Sequence, residues 1–186
     1  MKLSRMVLGF VPLLLFTVLC YWLPVGWAAV VGFVAAIGVI TVTAEGGIKL
    51  LPTVQGVILL VFAVLGFAGG PGVDTFLMTY GRGVASLVLG AVIVATASSM
   101  PFTAQFARAT TPRELWDSPV FLAANRRISL AWGLAVLVVG ACHLLGAWLQ
   151  IQGVAHALTL LVDWVVPILA VVRAVSVTKH VVSEHA

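Results

Sequence analysis

The chain has 186 residues, of which 62% are hydrophobic and 9% are charged, and its mean hydropathy is +1.17. A water-soluble domain of this length cannot hide so much apolar surface, so the composition excludes a soluble protein and indicates a bilayer as the main solvent. The formal net charge of +4 would suit a nucleic-acid ligand, but the basic residues follow a membrane-topology pattern, and no nucleic-acid partner is expected.

Six stretches are apolar and long enough to cross about 30 Å of hydrocarbon as helices. They are residues 6–23, 26–43, 53–70, 83–97, 128–150 and 154–177. Backbone polar groups in lipid must be bonded within the segment, and these stretches lack the alternation of barrel strands. The sequence therefore predicts an all-α polytopic membrane protein, with one domain of six transmembrane helices over residues 1–186.

The basic residues predict the orientation. Lys2 and Arg5 precede the first apolar stretch, which has no small-residue cleavage site and is expected to remain as a span rather than leave as a signal peptide. With a cytoplasmic N-terminus, nine of the ten Lys and Arg residues lie on the cytoplasmic side, and only Arg82 lies outside. This bias predicts that both termini are cytoplasmic and that basic residues contact anionic headgroups.

Small residues along the second and third stretches predict close helix contacts. They are Ala28, Ala29, Gly32, Ala35, Ala36 and Gly38 in the second stretch, and Gly66 and Gly70 in the third. After the third stretch, Gly69-Gly70-Pro71-Gly72 predicts a break, and residues 74–83 are expected to form an irregular loop.

One long polar interval, residues 98–127, interrupts the apolar sequence and is called the polar segment here. It holds six of the sixteen charged residues. Phe102 and Phe106 lie on one helical face that is expected to rest on the membrane, and Thr111-Pro112-Arg113-Glu114 is typical of a capped helix start. Ser118-Pro119 repeats this pattern and begins a helix that continues into the fifth span.

Two short interfacial helices are therefore expected in the polar segment, and the alternative is an unstructured polar linker. The segment is predicted to form an interaction surface. Its residues are Phe102, Phe106, Arg113, Glu114, Trp116, Phe121, Arg126 and Arg127.

Three features carry a family resemblance: the opening of residues 8–16, the loop before the fifth span, and the entry to that span. The opening contains Pro12, and the loop contains Pro101 and Trp116. The entry to the fifth span contains Asn125, Trp132, Gly133 and Gly140. In these features the chain resembles the intracellular septation protein A family, small bacterial inner-membrane proteins with five or six spans. The chain departs from that family by a longer loop and a lower charge density. The resemblance implies an inner-membrane role in septation and envelope synthesis through contacts with other membrane proteins, and it brings no catalytic residues.

Polar side chains within a span are costly, so they are candidates for function. His143 and Asp163 lie on either side of a tight turn near residue 153 and are expected at similar depth in the outer half of the membrane. Such a pair can hold a proton or orient a substrate, with His156 joining at the outer edge. The alternative is that the pair only fixes helix register. Pro167 is expected to kink its helix and free the carbonyl of Asp163.

No cofactor, metal or enzymatic activity is expected. Two ligands are too few for a metal site, the other histidines lie near or beyond span ends, which argues against haem, and no catalytic motif is present. Cys20 and Cys142 fall inside spans and are expected to be buried free thiols.

The sequence thus predicts a non-enzymatic membrane protein of the bacterial cell envelope that acts through protein or lipid contacts. Its expected partners are lipids, including anionic headgroups, other membrane proteins and, as one option, a second copy in a homodimer. The alternative is a small proton- or ion-coupled transporter, or a lipid-moving protein, built on His143 and Asp163. A membrane-embedded lipid enzyme would have only the same pair for support.

Overall fold

The computed structural model describes the backbone of residues 3–44 and 49–184 and the side chains of residues 6–44 and 49–184. Its helices are α1 (Leu3–Leu8), α2 (Val11–Leu19), α3 (Val25–Val42), α4 (Leu50–Ala68), α5 (Gly70–Thr96), α6 (Phe102–Ala107), α7 (Pro119–Ile151), α8 (His156–Leu160) and α9 (Val166–Ser183). A π-helical turn (Leu161–Val165) joins α8 to α9. Over the described residues the chain has no strand, which confirms the all-α class.

Among the described residues, five helical units are long and apolar enough to cross a membrane: α3, α4, α5, α7 and the run from α8 to α9. They correspond to five of the six predicted spans. The first predicted span, residues 6–23, is divided between α1 and α2, which have 6 and 9 residues. A sixth crossing and the cytoplasmic placement of both termini therefore stay predictions.

The irregular loop predicted before the fourth span was wrong. Residues 74–83, expected to form an irregular loop, are the first turns of α5, which has 27 residues. Gly70 adopts a left-handed conformation with φ of 72° and turns the chain, and Pro71 then occupies the first turn of the new helix. Proline is well suited to that position because the first helical N–H groups have no partner within the helix. The break is therefore a single tight corner.

Gln55 of α4 bridges the interruption between α1 and α2. In a continuous helix the Leu13 N–H would donate to the Gly9 carbonyl. Instead Leu13 N donates to Gln55 Oε1 at 3.0 Å, and Gln55 Nε2 donates to Gly9 O at 2.6 Å. Pro12 contributes because it has no N–H to offer Leu8, and its ring crowds that carbonyl. The carboxamide thus satisfies two backbone groups that the break would leave unpaired.

Gln55→Leu should lower the free energy of unfolding by about 2 kcal/mol, since it leaves a buried donor and a buried acceptor without partners. The cost is limited because α1 and α2 can partly rejoin once the carboxamide is gone. Unfolding in mixed detergent–SDS micelles measures the change, and Gln152→Leu, at an exposed turn, is the control. Equal stability of the two variants would contradict the bridging role.

The contact between α5 and α7 is built on glycines. Gly83 and Gly90 of α5 alternate with Gly133 and Gly140 of α7 along an antiparallel interface. A Cβ on Gly90 would lie 2.8 Å from the Leu137 backbone nitrogen, and one on Gly140 would lie 2.7 Å from that of Leu87. Both distances are too short for real Cβ contacts. Glycine therefore allows the two backbones to touch, as is typical of small-residue helix pairs.

The small-residue contacts predicted in α3 and α4 are present in part. Gly26 and Gly32 are buried, and a Cβ on Gly66 would lie 2.8 Å from the Cα of Gly26. Gly38 is exposed, with nothing within 4 Å, and Gly70 forms the corner before α5 rather than a helix contact. The α3–α4 pair is closest where Gly26 meets Gly66, and the contact continues along the helices, where Gly32 faces Leu59 and Gly56 faces Ala36.

Helix α7 is the centre of the second half of the bundle. It packs against α5 on one side and against α9 on the other. Near the polar segment, Trp132 Nε1 donates to Thr178 Oγ1 at 3.0 Å, and the Trp132 ring stacks on Phe10 at 5.2 Å. At its opposite end, α7 meets the π-helical turn. The run from α8 to α9 is the least buried of the five units and lies at the edge of the bundle.

Candidate functional site

The structure brings His143 and Asp163 together. His143 Nδ1 lies 3.3 Å from Asp163 Oδ1, and the two side chains are 10% and 5% exposed. His143 belongs to α7, and Asp163 lies within the π-helical turn between α8 and α9. The two residues sit at the same level, at the end of α7 away from the polar segment, as the tight turn near residue 153 predicts.

Arg82 completes this cluster, and it was not predicted as a site residue. Its Nη2 lies 3.0 Å from Asp163 Oδ2, and its Nη1 donates to the Tyr21 hydroxyl at 2.7 Å. The Arg82 side chain is only 14% exposed. A sequence signal did exist, because Arg82 is the single basic residue that the predicted topology places outside. A lone charge near a span calls for a partner, and Asp163 is that partner. Arg82, Asp163 and His143 are called the ion cluster below.

The local backbone explains how Asp163 reaches α7. Pro167 follows the π-helical turn and has no N–H to donate to the Asp163 carbonyl, so regular α-helical bonding is interrupted there. On the facing helix, Gly146 leaves space for the carboxylate, which a Cβ at that position would overlap. A glycine and an interrupted turn therefore place a carboxylate directly against the α7 backbone.

The ion cluster pairs opposite charges. The Arg82 guanidinium lies against one oxygen of the Asp163 carboxylate, and His143 contacts the other oxygen. Isolated charges are expensive in a membrane interior and persist mainly as pairs. The cluster joins α5, α7 and the π-helical turn by polar contacts at one level.

Other residues considered for this site do not join it. His156 is exposed at the start of α8, and within the described ranges its side chain has no hydrogen bond or ion pair. Cys142 is a buried free thiol, as expected, whereas the free Cys20 is half-buried. Among the described residues, no three His, Cys, Asp or Glu side chains lie close enough to hold a metal ion.

At the opposite end of the bundle, α6 of the polar segment is firmly packed. Phe102 and Phe106 are 1% and 5% exposed, so the expectation that they rest on the membrane was wrong. The Thr103 hydroxyl donates to Asn125 O at 2.9 Å and lies 2.9 Å from Ser129 Oγ of α7. A face of two phenylalanines fits a protein core as well as a membrane surface, and here these hydrogen bonds dock it on α7.

Gln105 fastens the other side of α6 to the bundle. Its Oε1 accepts a 2.7 Å hydrogen bond from the Leu50 N–H at the start of α4, and its carbonyl accepts one from Lys49 Nζ at 3.0 Å. The four first N–H groups of a helix need partners outside it, and Gln105 supplies one. The polar segment is thus tied to α4 as well as to α7.

The prediction of a helix that begins at Pro112 was wrong. Only a single 3₁₀ turn, Arg113–Leu115, forms there. The Thr111 hydroxyl does not cap it but donates to Ala107 O at 3.0 Å, so the expected capping box is absent. The second expected cap is correct: Ser118 Oγ accepts from Phe121 N at 3.2 Å and begins α7, with Pro119 as its first residue.

Trp116 forms one wall of a cavity of about 410 Å³ in the polar segment. The ring is fixed because its Nε1 donates to Thr111 O at 2.9 Å. The guanidinium carbons of Arg108 and Arg113 lie 5.2 and 5.7 Å from the ring centroid, within cation–π range. Gln105 also lines the cavity. We call this feature the arginine cavity.

The remaining residues of the predicted interaction surface lie apart from the arginine cavity. Glu114, Arg126 and Arg127 are exposed, and Arg127 forms a 3.4 Å ion pair with Glu184 after α9. Phe121 is half-buried in the first turn of α7. Arg108, which was not among the predicted surface residues, instead contributes to the cavity. The sequence offered one indication of this role, because Arg108 directly follows the helical stretch that contains Phe102 and Phe106.

The residues that carry the family resemblance have definite structural places. Pro12 lies in the first turn of α2, Trp116 lines the arginine cavity, and Trp132 is buried between Phe10 and Thr178. These contacts do not test the resemblance, which stays a prediction. Comparisons of the chain with protein-family models, with curated proteins and with solved structures give no match.

Proposed function

We propose that the chain is a non-enzymatic integral membrane protein of the bacterial cell envelope that acts through protein or lipid contacts of its polar segment. One observation carries this proposal. Trp116 lines the arginine cavity and its chain neighbour Leu115 is 50% exposed, while the phenylalanines of α6 are packed into the bundle. Tryptophan and arginine on a preformed surface are the residue types that dominate binding energy at interfaces.

The charge distribution supports a cytoplasmic position for this surface. Arg108, Arg113, Arg126 and Arg127 all lie in the polar segment. Cytoplasmic loops carry such an excess of basic residues, and anionic lipids of that leaflet attract them. In this orientation Arg82 and the ion cluster lie near the outer surface.

The ion cluster is the basis of the alternative, a small proton- or ion-coupled transporter or a lipid-moving protein. An ion carrier needs a carboxylate whose charge is available to the transported ion. In this chain Arg82 already balances Asp163, and the pair is largely buried. We therefore assign the cluster a structural role, in which it joins α5, α7 and the π-helical turn.

Site-specific photo-crosslinking tests the proposed function. A benzophenone amino acid at Leu115, in the full chain and in native membranes, should give discrete adducts with a partner protein or lipid. Ile151, which is 62% exposed at the other end of α7, is the control site and should not give the same adducts. Identical adduct patterns from the two positions would contradict a specific role for the polar segment.

A further inference from the structure

We infer that the arginine cavity binds a phosphate-bearing anion, either the headgroup of an anionic lipid or free phosphate. This inference rests on the proposed function and deepens it, because it names the chemistry that the polar segment recognises. The site consists of Arg108, Arg113, Trp116 and Gln105. Four observations support it: the arrangement of charge, a buried donor, the fixed walls, and the position in the fold.

The first observation is the concentration of positive charge. Two guanidinium groups share one indole ring, at 5.2 and 5.7 Å from its centroid. The cavity is lined by residues 105, 108, 109, 111, 112, 113 and 116, and none of these is acidic. Both arginines line the same cavity, so an anion inside it gains attraction from two positive charges. Arginine is suited to phosphate because its planar fork donates two parallel hydrogen bonds.

The second observation is an unpaired donor. Arg108 Nε is buried and, within the described part of the chain, has no hydrogen-bond acceptor. A buried donor without a partner is costly, and such groups are rare in folded proteins. A phosphate that enters the cavity lined by Arg108 would bring acceptor oxygens to this side chain.

The third observation is that the walls are held in place by other contacts. Trp116 Nε1 is bonded to Thr111 O, which fixes the ring. Gln105 Oε1 is bonded to Leu50 N, so the carboxamide nitrogen remains as a donor for a ligand. A preformed site binds with a smaller loss of conformational entropy than one that must be ordered. The cavity is open to the surface, and its volume of about 410 Å³ accommodates a headgroup phosphate and its neighbouring atoms.

The fourth observation is the position of the cavity. Gln105 lies beside the first residues of α4, and α7 begins three residues after Trp116. Both helices are candidate membrane spans. The cavity is therefore next to the end of the apolar bundle, where lipid headgroups lie. This favours a lipid phosphate among the phosphate-bearing anions.

Isothermal titration calorimetry on the detergent-solubilised full chain tests the inference. One arm uses phosphatidylglycerol dispersed in the same detergent, and the other uses inorganic phosphate. Whichever of the two ligands binds the wild-type chain more tightly, the variant R108Q/R113Q should bind that ligand at least tenfold more weakly. The control R126Q/R127Q also removes two positive charges from the polar segment, at exposed positions, and should lose less than threefold.

The single variant R113Q tests whether a loss of binding comes from misfolding, since Arg113 is exposed and its replacement removes no buried contact. Its affinity for the same ligand should fall by about threefold. The tighter arm identifies the source of the phosphate. Equal losses in the two double variants, or no binding in either arm, would overturn the inference. If binding fails while Leu115 still gives specific adducts, only this inference falls. If both fail, the proposed function falls as well.

Discussion

Replacing Asp163 with leucine should lower the free energy of unfolding by about 3–5 kcal/mol, the usual cost of breaking a buried ion pair by removing one partner. The variant leaves the Arg82 guanidinium, whose side chain is 14% exposed, without its counter-charge. His143 loses its hydrogen-bond partner at the same time. Unfolding in mixed detergent–SDS micelles measures the change.

The double variant R82M/D163L provides the matched control. It removes both charges, so most of the lost stability should return, because a buried ion pair replaced by apolar side chains is often near neutral. A double variant as unstable as D163L would show that Asp163 acts through something other than Arg82.

Asp163→Asn also addresses the transporter alternative. In reconstituted vesicles the structural role predicts no proton or ion flux in the wild-type protein, and hence none for the variant to remove. A wild-type flux that disappears in Asp163→Asn, with little change in unfolding, would favour transport over the structural role.

Gly140→Val should destabilise the bundle by about 3 kcal/mol or more, at the upper end of the cost of overpacking. The reason is the nature of the obstacle. A Cβ at this position would meet the backbone nitrogen of Leu87 at 2.7 Å and the backbone oxygen of Gly83 at 3.0 Å. Side chains can rotate away from a new methyl group, but two helix backbones cannot, so α5 and α7 must separate. The same micelle unfolding assay measures this loss.

Gly38→Val is the control for the glycine prediction. Gly38 also lies inside an apolar helix, but nothing lies within 4 Å of its would-be Cβ. Removing a helical glycine favours the helix by up to about 1 kcal/mol when alanine replaces it, so a change at this position should be neutral or slightly stabilising. If Gly38→Val and Gly140→Val cost the same, close backbone contact is not what Gly140 provides.

The class of the fold could be predicted because it depends on local properties. Length and hydropathy identify helices that must bond their own backbone groups in lipid. The start of α5 could not be placed because Gly70 and Pro71 are typical both of a loop and of a tight corner between helices. Ser118 was recognisable as a cap because a cap needs only its immediate neighbours.

The polar pairs were harder to predict, because they depend on which helices meet. A short turn near residue 153 joins the helical segments that contain His143 and Asp163. Their similar depth therefore follows from the number of residues between each of them and the turn. Arg82 lies on α5, and it reaches Asp163 because α5 and the π-helical turn both pack against α7. The contacts of Gln55 were hard to predict for the same reason, since its partners Gly9 and Leu13 are distant in the sequence. The four-residue spacing of Phe102 and Phe106 likewise does not say whether the facing surface is lipid or protein.

The bridging role of Gln55 has a consequence for biogenesis. Domains and helices emerge from the ribosome N-terminal end first. The backbone groups of Gly9 and Leu13 find their final partners only when residue 55, in α4, has been made and has docked. The N-terminal helix pair therefore cannot mature alone as it leaves the ribosome. The hydrogen bonding of α1 and α2 is complete only after α4 has been made. It therefore depends on a residue synthesised more than forty positions downstream.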